Sequence, residues 1–76
     1  MKRLLDIKEG CKAVVKDVDM DEALKLKLFE LGILPGTELE LIQVAPFGGP
    51  IKIKLHDYCL ALRRTEAYKI LVEEKC

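Results

Sequence analysis

The sequence predicts a mostly β domain: a small, partly open antiparallel barrel of five short strands, with one α-helix inserted between the first and second. Three observations predict it. Apolar and polar residues alternate in short runs, most cleanly where Ile51, Ile53 and Leu55 interleave with Lys52, Lys54 and His56. A single stretch carries helical spacing, with Met20, Leu24, Leu28 and Leu31 on one stripe. Two turn clusters, Leu31-Gly32-Ile33-Leu34-Pro35-Gly36 and Ala45-Pro46-Phe47-Gly48-Gly49-Pro50, end the helix, start a strand and close a hairpin.

The 76 residues are expected to form one domain, residues 1–76, of the size that buries roughly 60% of the surface its unfolded chain exposes. Half the residues are hydrophobic and 34% are charged, which suits a compact globule with a soluble surface. Thirteen basic and thirteen acidic side chains cancel, so no long-range field steers the chain toward nucleic acid or an anionic membrane. No apolar run approaches the roughly 20 residues needed to cross a bilayer. Asp6, Lys8 and Glu9 interrupt the basic start before a signal peptide can form, so a cytoplasmic location is expected. Cys11, Cys59 and Cys76 are odd in number and widely spaced, which argues against a disulfide framework and against a thiolate zinc site. Cys11 and Cys59 read as small hydrophobes and Cys76 as part of a mobile end.

Along the chain, Leu4, Leu5 and Ile7 form an apolar lead-in, and Gly10 opens a strand over Cys11–Val18. Asp19 is placed as the helix N-cap, with Glu22 three positions later in the manner of a capping box. Gly32 is the left-handed residue that ends the helix, and Ile33 folds back on the last turn. Leu26 and Phe29 fall opposite the core stripe, beside Glu22 and Lys25. Either the chain ends pack over them, or they are an apolar patch for another protein. Pro35-Gly36 reads as the centre of a type II turn. Thr37–Val44 changes its inward side at Leu41-Ile42, which predicts a bulge. His56-Asp57-Tyr58 connects to Cys59–Arg63, Arg64-Thr65-Glu66 makes a turn, and Ala67–Glu73 is the last strand with Tyr68, Ile70 and Val72 inward.

No catalytic constellation accompanies these elements. Gly48-Gly49 is followed by Pro50 rather than by the Lys-Ser/Thr pair of a phosphate-binding loop, and the one histidine, His56, has no partner for a nucleophilic triad. Asp17, Asp19 and Asp21 begin like a calcium loop but lack its glycine and its closing glutamate, so they read as helix-capping carboxylates. No cofactor is expected. A weak ferrous or zinc contact has one place to form, around His56, Asp57 and Cys59. Lys52, Lys54, Arg63 and Arg64 make a basic strip, but 5% aromatic content leaves no stacking platform for single-stranded nucleic acid.

Three segments together carry a family resemblance: Leu24 to Gly36 with its Glu30-Leu31-Gly32-Ile33-Leu34-Pro35-Gly36 ending, the Ala45-Pro46 and Gly48-Gly49-Pro50 turn, and Leu60-Ala61-Leu62-Arg63-Arg64 followed by Ala67, Ile70 and Val72. In this order they resemble the FeoA family of small bacterial proteins that accompany the ferrous iron transporter FeoB. Lys27, where the family often has Arg, and the lack of Gly in the His56-Asp57 turn depart from the pattern. The resemblance implies an SH3-like barrel, no enzymatic activity, and docking on the cytoplasmic G-protein domain of FeoB in support of Fe2+ transport. Leu26, Phe29, Pro46, Phe47 and Gly48 are then the expected partner-binding residues. The alternative is a metal-responsive regulatory module, because iron-dependent repressors carry a similar barrel as their C-terminal domain. Without a DNA-binding helix pair, such a module would act in trans.

Overall fold

A computed structural model describes residues 1–76. Six strands form one antiparallel sheet in the order β1-β6-β2-β3-β4-β5. The strands are β1 (Lys2–Arg3), β2 (Lys12–Val18), β3 (Glu38–Val44), β4 (Ile51–Leu55), β5 (Tyr58–Leu62) and β6 (Ile70–Glu74). Helix α1 (Glu22–Glu30) lies between β2 and β3, and a single helical turn, α2 (Arg64–Ala67), between β5 and β6. The five strands and the inserted helix match the expectation. Lys2–Arg3, ahead of the apolar lead-in, adds a sixth, two-residue strand, and the lead-in itself makes a 3-10 turn at Leu4–Asp6.

Strand alternation sets the core. Ala13, Val15, Leu39, Leu41, Ile51, Ile53, Leu55, Leu62, Ile70 and Val72 point to one side, and Leu4, Ile7, Leu28 and Ile33 close over them. No polar or charged side chain is buried. The sheet curls at two register shifts, between Val15 and Asp17 on β2 and between Leu41 and Gln43 on β3. The second lies at the expected bulge, where an extra residue bends the strand.

The helix ends as its sequence dictates. Gly32 takes φ +97°, its N–H donates to the Phe29 carbonyl at 3.0 Å, and the Ile33 N–H donates to the Leu28 carbonyl at 2.9 Å. These are the paired bonds of a Schellman ending, and they leave Ile33 buried against the core. The Leu34–Thr37 turn closes with a 3.0 Å bond from the Thr37 N–H to the Leu34 carbonyl, with Gly36 at φ +93°.

Several expectations are corrected. The N-cap is Asp21, whose carboxylate accepts the Leu24 N–H at 3.0 Å, not Asp19, whose N–H is committed to the Lys69 carbonyl just past the end of β2. Only Leu28 of the helical stripe is buried; Leu24 remains 44% exposed because α1 leans on the sheet along a narrow line. Tyr68 faces outward because α2 consumes the residues that a longer last strand would have used. Its ring is covered by the Arg3 guanidinium at 4.3 Å.

The reading of Cys11 as unpaired and Cys76 as mobile also fails. Strand β6 runs beside β2, and the Lys75 N–H donates to the Lys12 carbonyl at 2.8 Å. That carries the last residue to within 5.4 Å of Cys11 between Cα atoms, and the two form a disulfide.

Candidate functional site

The β3–β4 hairpin tip is the most unusual piece of backbone in the chain. The Gly49 N–H donates to the Pro46 carbonyl at 3.2 Å, closing a four-residue turn whose central pair, Phe47 and Gly48, have φ of +59° and +75°. Two positive values are those of a type I′ turn, which matches the twist of the flanking strands and ordinarily takes Asn-Gly. A phenylalanine in this region costs about 1–2 kcal/mol, and Phe47 recovers none of it by packing because it is fully exposed. Gly49 is fixed for a different reason: a Cβ there would lie 2.7 Å from the Ala45 Cβ.

The base of the hairpin is held from two sides. The Val44 N–H donates to Glu9 Oε2 at 2.7 Å, and Arg64 Nη2 donates to the Ala45 carbonyl at 2.9 Å. Arg64 Nε is buried without an acceptor. Arg64 therefore belongs to α2 and the hairpin base, not to a strand-borne basic strip.

The other sequence-derived residues lie on α1. Leu26 is 56% exposed on the face opposite Leu28, so neither chain end covers it. Phe29 is half-buried against the core and is the less available of the two. The surface clefts do not join these residues to the hairpin tip. One cleft, between α1 and β5, is lined by Leu24, Lys27, Leu31, Ala61, Leu62 and Arg63. Another lies against Gln43, Ala45, Pro50, Lys52 and Ala61. Pro46, Phe47 and Gly48 stand out from both.

His56 and Asp57 form the two-residue loop between β4 and β5, with His56 at φ +50°. No group of three or more His, Cys, Asp or Glu side chains converges around them or around Asp17, Asp19 and Asp21. Asp17 accepts the Val18 N–H at 2.8 Å and Asp21 caps α1, so two of the three aspartates have structural work. Sequence reasoning missed Tyr58, whose hydroxyl donates to the Leu31 carbonyl and ties the helix end to β5.

The resolved charge interactions lie elsewhere, along β6. Lys2 Nζ and Glu74 Oε1 are 2.7 Å apart, and their hydrogen bond raises the Lys2 pKa and lowers that of Glu74. Lys16, at 3.0 Å, lowers Glu73 through a hydrogen bond, with Lys75 adding attraction. All lie at the surface, Glu74 partly shielded, so they adjust surface electrostatics without forming a reactive centre.

A small curled antiparallel sheet with one helix inserted after its second strand defines an SH3-like domain. The chain belongs to the FeoA family: the FeoA domain model matches residues 2–74, and members of that family are non-enzymatic accessory domains. It is 32% identical over 71 residues, 93% of the chain, to a Fe(2+) transport protein A/Fe(2+) transporter FeoB fusion protein from Porphyromonas gingivalis, of whose length it spans 8%. Among solved structures it is similar to iron(II) transport protein A from Clostridium thermocellum, with 38% identity and a TM-score of 0.87 over 95% of this chain and 44% of that one. It is similar also to the zinc complex of FeoA from Stenotrophomonas maltophilia, described as a prokaryotic SH3 domain protein, with 28% identity and a TM-score of 0.81 over 99% and 96% of the two chains. A manganese-dependent transcriptional repressor shares the fold, at 20% identity and a TM-score of 0.88 over 97% of this chain and 36% of the repressor. No helix is long and apolar enough to cross a membrane.

Proposed function

We propose that the chain is a cytoplasmic accessory protein of bacterial ferrous iron uptake that binds the cytoplasmic G-protein domain of a FeoB-type transporter and supports Fe2+ transport. The observation that carries this reading is the relative in which a matching segment is fused to FeoB. Fusion keeps two proteins at high effective concentration, which is useful when they work in contact. Leu26 and Phe29 on α1, with Pro46, Phe47 and Gly48 at the hairpin tip, are the proposed contact residues. The conformational cost of Phe47 supports its place among them, since strain at an exposed aromatic is retained where a function uses it.

The test is a titration of the isotope-labelled chain with the transporter's isolated cytosolic domain, with and without guanine nucleotide. Binding that broadens the amides of Leu26 and Phe47, and that weakens in Leu26→Glu with Phe47→Asn, supports the reading. Unchanged binding by that double variant removes these residues from the surface, and no binding at all removes the partner. Anaerobic addition of ferrous iron separates the metal-responsive alternative, which calls for site-specific shifts near Asp17 to Glu22 or His56 to Cys59.

A further inference from the structure

Strand β5 is an edge of the sheet, and its outer side is unpaired. The hairpin joining it to β4 has a two-residue loop with Leu55 opposite Tyr58, so Tyr58, Leu60 and Leu62 exchange main-chain bonds with β4, and alternation turns the N–H and C=O groups of Cys59 and Ala61 outward. No main-chain hydrogen bond outside the β4–β5 ladder reaches residues 58–62. The edge is not blunted by a proline or a bulge, and beyond Tyr58 its outward-pairing residues Cys59 and Ala61 are short and exposed. It opens on the groove against α1, where Leu24 and Leu31 face Ala61 and Leu62. Tyr58 closes one end of that groove through its bond to the Leu31 carbonyl.

The charge lining this groove is mostly basic, with Asp57 in the loop at one end and Glu38 and Glu40 beside Lys54 on the far side. Lys27 and Arg63 line the groove, while Lys52 and Lys54 stand in register beside Ala61 and Cys59 on the adjoining strand. None of the four takes part in an ion pair. Glu66 is the one carboxylate in the groove, and it is held at the start of α2 by the Arg63 N–H at 3.0 Å. Glu40 lies opposite Lys54 on the far side, on β3.

We propose that the β5 edge and its groove form a strand-addition site for a short, extended, acidic segment of another polypeptide. The segment's main chain pairs with Cys59 and Ala61, its apolar side chains enter between Leu24 and Leu62, and its carboxylates meet Lys27, Arg63, Lys52 and Lys54. The site is separate from Leu26 and Phe47 and does not depend on what binds there.

The probe is a displayed library of short random peptides selected on the full chain, followed by amide exchange with the synthesised winners. The expected result is enrichment of acidic, β-forming peptides that slow exchange at Cys59 and Ala61. Ala61→Pro removes only an outward N–H and should abolish that binding. Lys27→Glu with Arg63→Glu leaves the backbone alone and should weaken it about tenfold. No enrichment, enrichment of basic or neutral peptides, or protection elsewhere overturns the proposal. So does concentration-dependent dimerisation that protects Cys59 and Ala61 without peptide, which assigns the edge to a second copy.

Discussion

Arg64 Nη2 reaches the carbonyl of Ala45 at 2.9 Å, across 19 positions of sequence, and so links the turn before the last strand to the base of the β3–β4 hairpin. A charged donor on a part-buried carbonyl is worth about 1.5–3 kcal/mol when its partner is removed. Arg64→Ala should therefore lower the urea unfolding free energy by about 2 kcal/mol and speed amide exchange at Ala45 and Gly49. Equal stability of variant and parent would mean that the bond contributes nothing in solution.

Phe47→Asn should have the opposite sign. Asparagine adopts positive φ more readily than phenylalanine and completes the favoured Asn-Gly pair, while the fully exposed ring gives up no packing. A gain of about 1 kcal/mol is expected, together with weaker binding to the partner of that surface. A destabilised variant would show that the ring packs against something in solution.

Leu26 and Leu28 differ by two positions and should differ sharply in cost. Leu28→Ala empties part of the core and should lose about 2–5 kcal/mol, whereas Leu26→Glu on the exposed face should stay within about 0.5 kcal/mol of the parent. Chemical denaturation of both variants checks the pair, and a large loss for Leu26→Glu would place that residue in a hidden interface.

Stability should fall at both ends of the pH scale through the ends of β6. Glu73 and Glu74 have folded-state values below the usual 4.5, because Lys16 and Lys2 hydrogen-bond their carboxylates. Their contribution is present above 4.5 and is lost as the pH falls through the lower folded values. Lys2 is raised above 10.5 by Glu74, so its contribution holds below 10.5 and is lost as the pH rises through the folded value. Both effects should shrink with added salt, because Lys2 and Glu73 are exposed and Glu74 is only partly shielded. Urea midpoints measured across pH at low and high salt provide the check; an acid limb insensitive to salt would assign it elsewhere.

In the folded chain a thiol reagent should modify Cys59 alone, and all three cysteines only after reduction and unfolding. Cys76→Ser opens a loop of 65 residues, and chain entropy assigns such a closure about 4 kcal/mol. Two or more reactive thiols in the folded, unreduced chain would contradict the pairing.

What the sequence revealed, and what it hid, follow from the range of the interactions. Gly32, Pro35-Gly36 and the Leu41-Ile42 break act within a few residues, so the helix end, the following turn and the bulge were legible. Asp21 and Asp19 are both credible caps, and the choice goes with a long-range bond, Asp19 N–H to the Lys69 carbonyl, that no local pattern announces. Tyr68 faces outward because α2 takes up the residues before it and the last strand begins only at Ile70, so the alternation that holds for Ile70 and Val72 does not reach it. The Cys11–Cys76 bond depends on β6 crossing to lie beside β2, a pairing that no local pattern announces. At the candidate site, the exposure of Leu26 was readable from the helical wheel. The backbone cost at Phe47 was not, because nothing in Pro46-Phe47-Gly48-Gly49 says which residues of the turn take positive φ.

The Cys11–Cys76 bond also changes the topology of the polymer itself. Residues 11–76 are closed into a covalent ring. One protease cut between the two cysteines therefore leaves a single molecule that migrates as one species, and the fragments separate only after reduction.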